Sequence, residues 1–327
     1  MRGSGVESPT SIAAERRIFI PIQAEGGVQY PIRADPITYD GRQCQVTFEW
    51  LEDQSALLLA REDECRSDIL ITSPGYYPKL LAADSWDAVE PLATVQLEPS
   101  LSHPLKLKIW LTGPSKKLTQ RALRDVAYLN DVFYANSVGL AFKADIEVVS
   151  ATPGEQIAVS CADVYKIDPR LVDKSAINVY YPNVGNTTQA CPKGKGSNEW
   201  YSIFLGSTPR VDALAHEVIH ILGLWSELER IRDCRPGEAR CLANLQFQNA
   251  STRRKYLFPE QIYWIFFSTR SALSLLEHDF TADTYKGCLS DCCADPVDGR
   301  YECPWIGYRP GYNPCNPPGR GEPVIPK

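Results

Sequence analysis

Ala213-Leu214-Ala215-His216-Glu217-Val218-Ile219-His220-Ile221-Leu222-Gly223-Leu224-Trp225 is the stretch on which the reading of this chain turns. It holds HExxH inside an apolar, helix-forming run. Residues four apart lie one above the other on a helix face, so His216 and His220 can offer two imidazole nitrogens to one ion. Glu217 stands between them, beside whatever water such an ion would carry. Two imidazoles, a carboxylate base and an open position form the zinc-hydrolase pattern. The plain alternative is an amphipathic core helix with two hydrogen-bonded histidines. The chain has only four histidines, and Val211, Leu214, Val218, Ile221 and Leu222 form the apolar face of the same run. Gly223 offers a break just after it.

The likeness extends past five residues. HEVIHILGLW resembles the opening of the metzincin peptidase motif, HExxHxxGxxH. His216, Glu217, His220 and Gly223 match, and Ser226 stands at the eleventh position, where the family has a third histidine. A catalytic zinc usually takes three protein ligands, so the third one is open. Either there is no strong third protein ligand, or Ser226 takes the place through water, or another residue supplies it. Glu227 and Glu229 are candidates, but only if the chain turns at Gly223, because on a continuing helix Glu227 lies roughly 10 Å further along the axis. His278 could reach in from the end of a later helix. Glu260 would complete a gluzincin-like layout, although its simpler role is an acid at a helix N-terminus.

The whole chain is consistent with a secreted enzyme. At 327 residues, with 44% hydrophobic and 23% charged residues, it has core material for one large or two medium domains. A net charge of −6 argues against a nucleic-acid partner. No apolar run approaches the ~18 residues of a membrane span. Nothing in the sequence sets an oligomeric state. Eleven cysteines without paired CxxC motifs read mostly as disulfides, which implies a secreted, extracellular or periplasmic location. Plausible local pairs are Cys44 with Cys65, Cys161 with Cys191, and Cys234 with Cys241. Residues 1–15 are polar and lack a signal-peptide core, and Met1-Arg2-Gly3-Ser4 resembles a vector leader.

Residues 16–100 read as β-rich. Ile18-Phe19-Ile20-Pro21-Ile22, Val28-Gln29-Tyr30-Pro31-Ile32, Cys44-Gln45-Val46-Thr47-Phe48-Glu49-Trp50 and Ile69-Leu70-Ile71-Thr72 are short β-branched or aromatic runs between turn residues. Ile71-Thr72-Ser73-Pro74-Gly75-Tyr76-Tyr77-Pro78 with Val95-Gln96-Leu97-Glu98-Pro99 resembles carboxypeptidase-regulatory-like β-sandwich modules. A strand at 105–111, a helix at 119–135, and strands at 140–149, 177–181 and 201–205 follow. Strand–helix–strand is also how metzincin catalytic domains begin, and the resemblance makes 201–205 the edge strand that borders the cleft. It likewise aligns Asn244-Leu245-Gln246 with the turn under the metal, Gln246 taking the methionine's place, and Pro259-Glu260-Gln261-Ile262 with the start of a closing helix that runs to about residue 277. The tail is Gly-, Pro- and Cys-rich.

The expectation is therefore an α+β, metzincin-like catalytic domain with a twisted mixed sheet and two long helices, preceded by a small all-β sandwich. Its segments are a disordered or vector-derived leader at 1–15, the sandwich at 16–100, the catalytic domain at 101–286 and a Cys-rich extension at 287–327. The resemblance implies a Zn2+-dependent endopeptidase acting on a polypeptide, with His216 and His220 on the metal and Glu217 as general base. The alternative is an inactive member that keeps the cleft as a binding module or adhesin.

Overall fold

The computed structural model describes residues 15–28, 31–37, 46–62, 68–81, 94–149, 161–181, 188–192, 199–207, 210–224, 242–247, 253–266 and 272–276. Within them the fold is mixed α/β, with several sheets and few helices.

Seven strands come first: β1 (Glu15–Ala24), β2 (Arg33–Ile37), β3 (Val46–Leu51), β4 (Ala56–Glu62), β5 (Asp68–Thr72), β6 (Lys79–Leu81) and β7 (Val95–Leu97). They form one sheet of order β3-β4-β1-β7 and another of order β2-β5-β6. Alternate residues Ile20, Ile22, Leu57, Leu59 and Leu97 of the first sheet share a core with Ala34, Ile69 and Ile71 of the second. This is the period-2 burial expected of two packed sheets. Tyr76 plugs one end, its hydroxyl 2.7 Å from the carbonyls of both Glu25 and Gly27.

Two expectations need correction here. The second strand is β2 (Arg33–Ile37), later than the 28–32 run, because the register that pairs with β5 begins at Arg33 opposite Thr72. Strand β4 was not expected; it gains its place by pairing on both edges, with β1 and with β3.

The second sheet system holds β8 (Leu105–Thr112), β9 (Phe142–Val149), β10 (Ile177–Tyr181), β11 (Gln189–Cys191) and β12 (Ser202–Phe204), in the order β11-β12-β10-β8-β9. Four strands are parallel, and β11 alone runs antiparallel, against β12. The sheet edge on that side is thus β11 rather than 201–205, the strand that the resemblance had made the edge. The Cys161–Cys191 disulfide anchors that edge, as the cysteine spacing suggested. The other two proposed cysteine pairs lie outside the described residues.

In β8 the alternation separates a core face from a charged one. Leu105, Leu107, Ile109 and Leu111 enter the main core. On the opposite face Lys106 and Lys108 pair with Asp173, Asp145 and Glu147. Strand β10 is buried on both faces, as a central parallel strand should be.

Helix α1 (Lys116–Ala135) starts three residues earlier than the apolar pattern indicates, because Ser115 caps it by accepting from the Leu118 N–H. Ala122, Val126, Leu129 and Phe133 form its buried stripe. Helix α1 is one of the long helices expected; among the described residues the others are α2 (Ala213–Ile221) and α3 (Pro259–Ile265), with a 3-10 turn at Ala272–Leu275. No helix among the described residues is long and apolar enough to cross a membrane.

Gly139, just after α1, joins the two sheet systems. A Cβ there would sit 2.2 Å from the Tyr76 carbonyl oxygen and 2.8 Å from Pro78 Cδ, at a φ of +74°. Gly139→Ala should therefore destabilise by about 3 kcal/mol, combining left-handed backbone cost and overpacking. A denaturant midpoint equal to wild type would refute this contact.

Candidate metal centre

Helix α2 carries the HExxH run and is apolar nearly all round, so packing rather than propensity holds it. Leu214, Val218, Ile221 and Leu222 all lie in the main core. Its C-terminus is a glycine-closed Schellman motif. The Leu224 N–H donates to Ile219 O and the Gly223 N–H to His220 O, with Gly223 at φ 103°. The chain does turn at Gly223, as the glycine suggested.

That turn matters for the histidines. It brings the Leu224 carbonyl to 2.6 Å from His220 Nδ1. The Leu245 carbonyl, from the turn at residues 242–247, lies 2.5 Å from His216 Nδ1. A carbonyl can only accept, so each Nδ1 carries a proton, and in the neutral ring the Nε2 then holds the lone pair. The two Nε2 atoms face each other at 3.3 Å, with the rings at 83°. Two like lone pairs at that distance repel unless a proton or a cation lies between them.

The separation fits a shared ion. Two imidazoles on one tetrahedral zinc, each bonded at about 2.0–2.1 Å, hold their nitrogens about 3.3–3.4 Å apart. Carbonyl acceptors on the far ring nitrogens are also the usual way that metal-binding histidines are oriented. Glu217 is 5% exposed, and its Oε1 lies 3.9 Å from His216 Nε2. The helix thus brings together the three residues singled out from the sequence. Among the described residues no cluster of three or more His, Cys, Asp or Glu side chains is placed to hold a metal. Ser226, Glu227, Glu229 and His278 lie outside the described residues, and so does the side chain of Glu260, whose backbone opens α3.

Two supporting groups surround the site, and the spacing of the residues marked neither. The first anchors the start of α2. Asp212 Oδ2 accepts from Arg210 Nη2 at 2.7 Å, from the Arg254 N–H at 2.9 Å and from Arg254 Nε at 3.1 Å. Burial alone pushes this carboxyl up, but the Arg210 bond, the Arg254 N–H and both guanidinium charges hold it well below the usual carboxylate range. Arg254 also donates to Phe247 O, and Tyr128 donates to Arg254 O at 2.6 Å. An acidic residue directly ahead of an apolar helix is a start signal that could have marked Asp212. The second group is a buried set of amides, Asn244, Gln246 and Gln261, around the Leu245 turn. Only the resemblance pointed to that turn.

No family model matches the chain, and no curated protein matches it. Among solved structures, similarity is found to the structure of a chaperone–substrate complex, at 11% identity and a TM-score of 0.38, over 65% of this chain and 41% of that one. It is also found to the crystal structure of metalloproteinase-II from Bacteroides fragilis, at 10% identity and a TM-score of 0.35, over 73% of this chain and 91% of that one. The chain spans less than half the length of the first. At these scores both are likenesses of broad outline, and function rests on the residues of this chain.

Proposed function

We propose that the chain is a zinc-dependent endopeptidase of metzincin-like fold, with His216 and His220 as metal ligands and Glu217 as general base. One observation carries this: both rings have their Nδ1 protons fixed on backbone carbonyls while their Nε2 atoms meet at 3.3 Å beside Glu217. When bound, zinc supplies Lewis-acid polarisation of the scissile carbonyl and acidifies the attacking water. Glu217 accepts the proton that the water loses and later delivers it to the leaving amine nitrogen. Peptide-bond hydrolysis is then balanced, with hydroxyl on the carbonyl carbon and hydrogen on the amine. Helix α2 keeps both rings in register, and the Leu224 and Leu245 carbonyls keep their tautomers.

The same reading makes residues 16–100 a separate β-sandwich domain and 101–286 the catalytic domain, acting on a polypeptide outside the cytosol. The Cys161–Cys191 disulfide supports the location. Strand β11, antiparallel at the sheet edge and packed near α2, supports an extended substrate there.

Metal analysis of the purified protein tests the proposal. About one zinc per chain is expected, absent from both His216→Ala and His220→Ala. A protein that refuses zinc at micromolar concentration while remaining folded would overturn it.

A further inference from the structure

The turn beneath His216 is held by side-chain amides. Gln261 is fully buried in α3, and its hydrogen-bonding capacity is used up. Its Oε1 accepts from Asn244 Nδ2 at 2.6 Å and from the Phe258 N–H at 2.7 Å. Its Nε2 donates to Asn244 Oδ1 at 3.0 Å and to Gln246 Oε1 at 2.7 Å. Two backbone donors fix which end of each amide is oxygen. The Phe258 N–H requires an oxygen on Gln261, and the Gln246 N–H, 2.9 Å from Asn244 Oδ1, requires one on Asn244.

Asn244 and Gln246 flank Leu245 on both sides. The Leu245 N–H donates to Tyr256 O at 2.8 Å, and its carbonyl meets His216 Nδ1. The carbonyl that orients His216 therefore sits in a three-residue turn whose two neighbours are both held by one glutamine. A buried polar network is rigid while every member is satisfied and loosens when one is lost.

We infer that Gln261 is a positioning residue for His216: through Asn244 and Gln246 it holds the Leu245 carbonyl on His216 Nδ1, so that the ring presents its Nε2 lone pair toward His220. This deepens the metal-site reading above and rests on it. The structure supplies an internal control, because His220 takes its Nδ1 acceptor from Leu224, in the turn at Gly223, and not from the amide network.

The test is long-range 15N–1H correlation of the imidazoles in the chelator-treated full chain at about pH 8, above the ordinary imidazole range. Wild type should show both rings protonated at Nδ1. Gln261→Met keeps the side chain's length and removes its hydrogen bonds. It should move His216 toward the Nε2–H tautomer, leave His220 unchanged, and weaken zinc binding by about 10–100-fold. Gln246→Met removes one of the two arms by which Gln261 holds the turn and should give the same change in smaller degree, which keeps the test open if Gln261→Met does not fold. Unchanged His216 in folded variants, or equal changes in both rings, would overturn the inference. A His216-specific tautomer change in a protein that binds no zinc would remove the metal reading and leave the role of Gln261 in fixing the ring intact.

Discussion

Glu217→Gln should lower the rate of peptide cleavage by about 10²–10⁴-fold, the usual worth of a positioned general base. The substitution keeps the size of the side chain and removes its ability to take a proton. Glu217 is buried beside His216 Nε2, at 3.9 Å, so the loss should fall on chemistry rather than on folding. The variant should retain zinc and unfold at the wild-type midpoint, whereas His216→Ala should lose both metal and cleavage. The measurement is kcat on a peptide library matched with metal content for the same preparations. Cleavage by Glu217→Gln at the wild-type rate would assign the proton transfer to another group.

The second large effect is on stability. Asp212→Asn should destabilise by about 3–5 kcal/mol, the cost of leaving a buried charge without its partner. Three donors converge on Asp212 Oδ2, and Arg210 Nε adds a fourth bond, to Oδ1, at 3.0 Å. An amide in that place turns an N–H toward some of these donors. Arg210 is 38% exposed and can relax into water, but Arg254 is 7% exposed and cannot. The pH dependence follows from the lowered carboxyl. Its stabilisation is fully present above about pH 4, the unfolded carboxylate range, and is lost as pH falls toward the lower native value. The gap between wild type and Asp212→Asn should therefore be constant between about pH 5 and pH 8 and narrow below pH 4. Chemical unfolding at pH 7 and at pH 3 checks both points; a constant gap would place the effect outside the charge.

Local spacing made much of this chain legible. The alternation of β8 and the i, i+4 histidines are short-range patterns, and each appears where the sequence places it; α1 buries Val126, Leu129 and Phe133 as its spacing indicates, but Ala122 in place of Leu123. The Cys161–Cys191 pair was legible too, from proximity in the chain. Strands β4 and β11 were not. Strand β11 has three residues and exists only because β12 offers it an edge, and β4 draws its strand state from neighbours on both sides. The candidate site divides in the same way. His216, Glu217 and His220 are one helical turn of sequence, whereas the carbonyls that orient the two rings come from residues 224 and 245, and the side chains that hold the turn and the helix start come from residues 261 and 254.

By itself, then, the sequence determined that one helix presents two imidazoles on a shared face with a carboxylate next to them, because the helical repeat is set by the backbone alone. Only the tertiary structure decided which nitrogen of each ring faces the other, since that depends on carbonyls delivered by a glycine-closed helix end and by a turn held 29 residues away in the chain.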